Sequence, residues 1–146
     1  MAINYTGVFL DDASRQTLHK KYFDTIPEDW KWSGDHMTIE YGRGAEVPEV
    51  IGKPVTLTVT QIGTSNDALA LKVDGYKSKT QIAHITLAYK DKAASSNNIT
   101  DWKDTDQFTL TGKVGILYYD GKPPKISAGR RKTRRAVKNT RRRRRA

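Results

Sequence analysis

The sequence predicts an α+β domain in which antiparallel strands dominate. Two observations support this prediction: apolar residues alternate with threonines in several segments, and one segment has helical spacing. Alternation with a period of two is typical of strands that bury one face. A length of 146 residues fits a single domain with a modest core.

The first predicted strand covers residues 5–10 and leads into the helix. Residues 11–14 offer carboxylates and a hydroxyl as N-cap groups, and Leu18 and Tyr22 are spaced i, i+4 on one helical face. We expect a loop over residues 26–32.

The rest of the domain is predicted to be strands joined by turns. We expect them over residues 36–41, 55–60, 69–73, 82–89 and 108–119. The turn residues between the second and third of these segments predict a β-hairpin. Gly112 and Gly115 predict a kink or break in the last strand. The polar segment 90–107 is expected to hold a short helix near residues 99–102.

The net charge of +10 is concentrated at the end of the chain. Residues 129–146 hold eleven basic side chains and no acidic one, so residues 1–128 carry 15 basic and 16 acidic groups. A like-charged segment with few apolar residues does not offset its ordering entropy by burial. We therefore divide the chain into a domain, residues 1–122, and a disordered Arg-rich tail, residues 123–146.

The tail is predicted to bind nucleic acid through phosphates, or to act as a nuclear import signal. The arginines assigned to this role are Arg130, Arg131, Arg134, Arg135, Arg141, Arg142, Arg143, Arg144 and Arg145. A generic solubilising tail is the alternative.

Composition excludes several classes of function. The chain has no cysteine, and so no disulfide, thiolate metal site or cysteine nucleophile. Its apolar runs are too short for a membrane span, and its N-terminus lacks the layout of a secretory signal. We expect an intracellular protein, in the nucleus or cytoplasm, without a membrane partner.

Two of the three histidines occur in the same local pattern. His36-Met37-Thr38-Ile39 and His84-Ile85-Thr86-Leu87 each read His, apolar, Thr, apolar. Each His therefore shares one strand face with its Thr. If the two strands are neighbours, two imidazoles and two hydroxyls converge on one cleft.

This set suits attack on a phosphodiester without a metal or cofactor. One neutral imidazole accepts a proton from the attacking oxygen, one imidazolium donates to the leaving oxygen, and the hydroxyls bind non-bridging oxygens. The alternative is that both are half-buried strand histidines that only bond to a neighbour. His19 is expected at the surface, and no trio of metal ligands is predicted.

The paired motifs resemble those of the 2H phosphoesterases, the LigT-like superfamily. The second motif followed by residues 95–102, Ser-Ser-Asn-Asn-Ile-Thr-Asp-Trp, is similar to the cyclic-phosphodiesterase-type domains related to fungal and plant tRNA ligases. The chain also resembles the stand-alone 2H phosphodiesterases of phages and viruses. The resemblance covers roughly residues 5–119.

The resemblance implies a bilobal, pseudo-symmetric fold with antiparallel sheets around a central groove. It also implies metal-independent cleavage of 2′,3′-cyclic phosphates or 2′-5′ linkages, immune-signalling nucleotides included. His36 and His84 become the acid/base pair, and Thr38 and Thr86 the phosphate-oxygen donors, with acid and base unassigned.

Four aromatic residues near the motifs are candidates for substrate binding. Trp30 and Trp32 precede the first motif, and Tyr41 and Tyr89 follow the two motifs. Aromatic rings stack on bases in many nucleotide sites, whereas packing under a loop is the alternative for each. Two functions stay open: a phosphodiesterase acting on RNA ends or small oligonucleotides, and a non-catalytic RNA-binding protein.

Overall fold

The computed structural model describes residues 2–42, 45, 48, 50–91 and 95–127. Over these residues the chain forms one α-helix, α1 (Asp12–Tyr22), and two 3₁₀ helices, Phe23–Thr25 and Ser96–Asn98. The strands are β1 (Ile3–Leu10), β2 (Lys31–Trp32), β3 (His36–Tyr41), β4 (Pro54–Thr64), β5 (Ala68–Asp74), β6 (His84–Tyr89) and β7 (Asp101–Tyr118).

Six of these strands form an antiparallel barrel. Their order is β6-β3-β1-β7-β4-β5, and β5 pairs with β6 to close the ring. The short strand β2 pairs with the C-terminal end of β6, beyond the point where β3 pairs with it. The predicted α+β class with dominant antiparallel strands is confirmed, in the form of a barrel with one helix.

The core lies inside the barrel and is built by the predicted alternation. Each barrel strand contributes fully buried aliphatic side chains, among them Val8, Met37, Leu57, Leu71, Ile85 and Leu110. Complete burial of such a side chain stabilises the fold by about 1.5–3 kcal/mol. The opposite faces of the same strands therefore remain available for a site.

Helix α1 is tied to the barrel at its N-terminus. The Asp11 side chain accepts a hydrogen bond from the Ser14 backbone N–H at 2.9 Å, which is the predicted N-cap. Ser14 Oγ accepts from the Thr111 backbone N–H of β7 at 2.8 Å, and Leu18 packs in the core. Hydrogen bonds from Thr111 and Ser14 lower the pKa of the Asp11 carboxyl.

Strand β7 differs most from its predicted form. It begins at Asp101 rather than near residue 108, and the predicted helix over 99–102 is instead a 3₁₀ turn at Ser96–Asn98. The polar segment 101–104 pairs with β4 through its backbone, and Trp102 packs beside Ala68 and Ala70. The backbone pairing with β4 and the packing of Trp102, rather than a pattern of apolar residues, mark where the strand begins.

The predicted break of β7 at its two glycines is wrong. Gly112 and Gly115 both pair with β1 without a shift of register between them. A Cβ atom at Gly112 would lie 2.4 Å from the Phe9 carbonyl oxygen, and one at Gly115 would lie 2.4 Å from that of Lys125. Both glycines are needed for close backbone approach, and the strand continues through them.

Segment 26–32 and the described residues after β7 also contain residues that pair with strands of the barrel. The expected loop contains β2, which pairs with β6. After β7 the chain stays against the barrel, since Lys125 pairs with Ile116. The arginines of the predicted tail lie outside the described residues. Within the described ranges, no helix is long and apolar enough to cross a membrane.

Candidate active site

The two His-x-Thr segments lie on neighbouring antiparallel strands. Met37 of β3 pairs with Ile85 of β6, so the register sets His36 beside Thr86 and Thr38 beside His84. Met37 and Ile85 are fully buried in the barrel core. Because side chains alternate, both motifs face outward on the same side of the sheet. The pairing of the two strands, together with the alternation within each, therefore directs the four side chains to the same face of the sheet.

A cavity of about 530 Å³ lies over this surface. Its lining is mainly polar and comprises Asn4, Ser33, His36, Tyr41, His84, Thr86, Tyr89, Asp91, Ser95, Ser96 and Asn97. Both histidines, one motif threonine and both predicted tyrosines are in this set. Thr38 is 5% exposed and does not line the cavity, although it neighbours His84 in register.

His84 is held as a neutral imidazole. Its residue is only 7% exposed, and Nδ1–H donates to the Ile82 carbonyl oxygen at 2.6 Å. Burial lowers the pKa of His84 below 6.5; the bond to Ile82 opposes this shift, and the neighbouring His36 adds to it. In the neutral ring Nε2 carries the lone pair, and this nitrogen is suited to accept a proton from a ligand.

His36 lies in a different environment. Its Nδ1–H donates to the Asp35 carboxylate at 2.6 Å, and the imidazole side chain is 17% exposed. The Tyr5 ring stacks on the imidazole with centroids 4.5 Å apart. With Nδ1–H bonded to the carboxylate, Nε2 is the ring nitrogen left for a ligand.

Tyr5 supports His36 from β1. Its hydroxyl lies 3.4 Å from Nδ1 of His36, and Tyr41 contacts the Tyr5 ring edge-on. Burial raises the pKa of the Tyr5 phenol above its ordinary value, with smaller contributions from Asp35 and Tyr41. Tyr5 therefore stays neutral at physiological pH and adds no negative charge beside His36.

Thr86 is coupled to the segment that precedes β7. Its hydroxyl forms a hydrogen bond with the Ser96 hydroxyl at 2.8 Å, and Ser96 is buried. When Ser96 donates this bond, the Thr86 proton is free to point at an anion in the cavity. The turn at Ser96–Asn98 thus positions one of the two motif threonines.

An irregularity in β3 decides which residue after the first motif faces the cavity. The register of β1 against β3 shifts between Thr6 and Gly7, so Glu40 pairs with Thr6 and Tyr41 pairs with Tyr5. Tyr41 lines the cavity, while Glu40 forms an ion pair with Lys79 at 3.4 Å. Simple alternation would have continued the histidine face through Glu40.

The two predicted tryptophans lie outside this cavity. Both pack, partly buried, against the barrel core. Trp32 also contacts His19 and Phe23 at centroid distances of 5.2 and 5.9 Å, and it borders a second cavity beside α1. His19 lies on the exposed face of α1, as expected.

Asp35 and Tyr5 are the functional candidates that the motif analysis missed. Asp35 directly precedes His36 in the sequence, and this adjacency was the available signal. Nothing local to Tyr5 indicates that its ring stacks on a histidine 31 positions later. Over the described part of the chain, no three His, Asp or Glu side chains are grouped closely enough to hold a metal ion.

Comparisons with known proteins add no further evidence. Scans against protein-family models, curated proteins and solved structures each found no match to this chain.

Proposed function

We propose that the protein is a metal-independent phosphodiesterase of the 2H type. Its substrates would be 2′,3′-cyclic phosphate RNA ends, or small cyclic or 2′-5′-linked oligonucleotides. The observation that carries this proposal is the register of β3 against β6, with both histidines lining one cavity. The different partners of the two Nδ1 atoms support an assignment of acid and base, which the sequence left open.

In the proposed reaction His84 is the general base and His36 the general acid. Nε2 of neutral His84 takes a proton from the attacking water as its oxygen bonds to phosphorus. The bond from phosphorus to the leaving ribose oxygen breaks, and Nε2–H of His36 protonates that oxygen. The Asp35 carboxylate keeps His36 oriented for this transfer.

The phosphate oxygens require hydrogen-bond donors during this step. The Thr86 hydroxyl, supported by Ser96, is suited to donate to a non-bridging oxygen as negative charge builds. Thr38 is buried beside His84, so its proposed part is narrower: it would donate only to an oxygen bound deep against β3.

The strand pairing supports the bilobal, pseudo-symmetric fold of the 2H proposal. On one side of the Met37–Ile85 pair, β3 pairs with β1, which precedes it in sequence. On the other side, β6 pairs with β5, which likewise precedes it. A helix joins β1 to β2 and β3, whereas the connection between β5 and β6 has no helix. The second lobe would therefore be reduced.

Turnover by histidine variants tests the proposal. The full-length protein in chelator is incubated with cyclic-phosphate RNA, cyclic dinucleotides and 2′-5′ oligoadenylate. We expect turnover of at least one, and a loss of about 10²- to 10⁴-fold in His36→Gln and in His84→Gln. Thr86→Ala should reduce kcat, and Thr109→Ala, an exposed β7 position, is its matched control.

Two results would contradict the proposal. One is full activity in both histidine variants. The other is inactivity across the whole panel while RNA binding persists, which would favour the non-catalytic RNA-binding function. Melting temperatures of the variants separate a chemical loss from unfolding.

A further inference from the structure

A second cavity adjoins the candidate active site. It measures about 670 Å³ and lies between α1 and the segment that leads into His36. We call it the helix groove; its lining is Asp12, Arg15, Gln16, His19, Lys20, Trp32, Ser33, Gly34 and Asp35. Ser33 lines both cavities, and Asp35 of the helix groove bonds to His36 of the active-site cavity, so the two cavities are neighbours.

One wall of the helix groove is the polar face of α1. Five helical residues line it, and four of them follow Asp12 by 3, 4, 7 and 8 positions, which places all five on one side of the helix. Arg15 and Lys20 are both exposed there, and Arg15 pairs with Asp12. An exposed ion pair of this kind is weak, so Arg15 can exchange Asp12 for a phosphate group.

The other wall, residues 32–35, carries the Trp32 ring and the Asp35 carboxylate. The Trp32 indole lies against Gly34, where an added Cβ would come within 2.6 Å of its ring. His19 stacks on Phe23 at 4.2 Å, and both meet Trp32 edge-on. Aromatic and imidazole surfaces beside cationic side chains are the chemistry that binds a base and its phosphate.

We propose that the helix groove binds the nucleotide adjoining the reacting phosphate, so that the preferred substrate is an RNA strand of two or more nucleotides. This inference rests on the proposed function, since it places the reacting phosphate between His36 and His84. The active-site cavity alone has room for a terminal nucleotide, because small-ligand sites measure about 300–1,000 Å³. A neighbouring cavity of similar size, where Trp32 lies with Arg15 and Lys20 beside two carboxylates, adds a second position for a nucleotide.

Substrate length separates this subsite from the catalytic centre. We compare kcat/KM for a 2′,3′-cyclic mononucleotide and for a tetraribonucleotide ending in a 2′,3′-cyclic phosphate. The variant is Arg15→Ala/Lys20→Ala, and the matched control is Lys103→Ala/Lys122→Ala, which removes two exposed charges outside both cavities.

We expect the first variant to lose about tenfold in kcat/KM on the tetranucleotide and less than about twofold on the mononucleotide, with the control unchanged. Equal losses on both substrates, or no loss on either, would overturn the subsite.

If the wild-type protein turns over neither substrate, that result counts against the proposed function. A binding measurement then tests the helix groove on its own. Fluorescence anisotropy of a fluorescein-labelled tetraribonucleotide ending in a 3′-phosphate is measured with each full-length protein at about 0.15 M salt. Binding about tenfold weaker in Arg15→Ala/Lys20→Ala than in the control supports the helix groove as a nucleotide site. Equal binding rejects it.

Discussion

Replacement of Asp35 by Asn tests whether the carboxylate beside His36 contributes to catalysis. The bond from Nδ1–H to the carboxylate is 2.6 Å long, and the Asp35 side chain is 50% exposed. A hydrogen bond to a charged group contributes about 1.5–3 kcal/mol. Screening by water at this exposure reduces the contribution to about 1–2 kcal/mol.

This free energy corresponds to a loss of about 5- to 30-fold in kcat. Asn keeps the size of the side chain but removes its charge, so KM and the melting temperature should change little. Asp35→Glu should retain part of the activity. Asp74→Asn, an exposed carboxylate at the end of β5, is the matched control.

Steady-state kinetics on whichever nucleotide the protein turns over measures the effect. If Asp35→Asn keeps kcat within twofold of wild type while His36→Gln is inactive, His36 works without its carboxylate. The charge of the Asp35 carboxylate then makes no contribution to kcat. A fall in melting temperature that parallels the loss of kcat would instead indicate a structural role.

Two further predictions concern pH and packing. The lowered pKa of His84 places the acid limb of the kcat/KM profile below pH 6.5, because a general base must be neutral. The same shift makes the unfolded chain bind more protons, so the free energy of unfolding should fall as the pH drops from 6.5 through the pKa of folded His84. Chemical denaturation between pH 5 and 7 checks this, and His84→Gln should flatten the dependence. Gly7→Ala should destabilise the fold by about 1–3 kcal/mol, because the new Cβ would lie 2.6 Å from the Met37 carbonyl oxygen. Wild-type stability of this variant in urea would show that β1 and β3 can separate without cost.

Local sequence patterns predict which residues share a strand face better than they predict how the strands pair. Alternation places each histidine and its threonine on one face, and this local property holds in the structure. That β3 and β6 are neighbours, and that β5 closes onto β6, depends on contacts between distant segments. No short-range pattern records such contacts, which is why a closed barrel was not predicted.

The aromatic residues near the motifs show the same limit. A tryptophan close to a motif can stack on a ligand or pack on the core, and its sequence context is equal in both cases. Trp32 borders the helix groove and packs against Gly34, whose φ is +53°. Tyr41 reaches the cavity because the register between β1 and β3 shifts, with the extra residue in β3.

The pairing of β3 with β6 has a consequence for folding. His36 and His84 are 48 positions apart, and one register pair, Met37 with Ile85, joins their strands. Neither half of the chain holds both histidines, so under the proposed mechanism a partly folded chain in which β3 and β6 have not paired would be inactive. Ordering so distant a contact carries a high loop-closure entropy. Recovery of the proposed activity during refolding would therefore report when β3 pairs with β6 and the barrel closes.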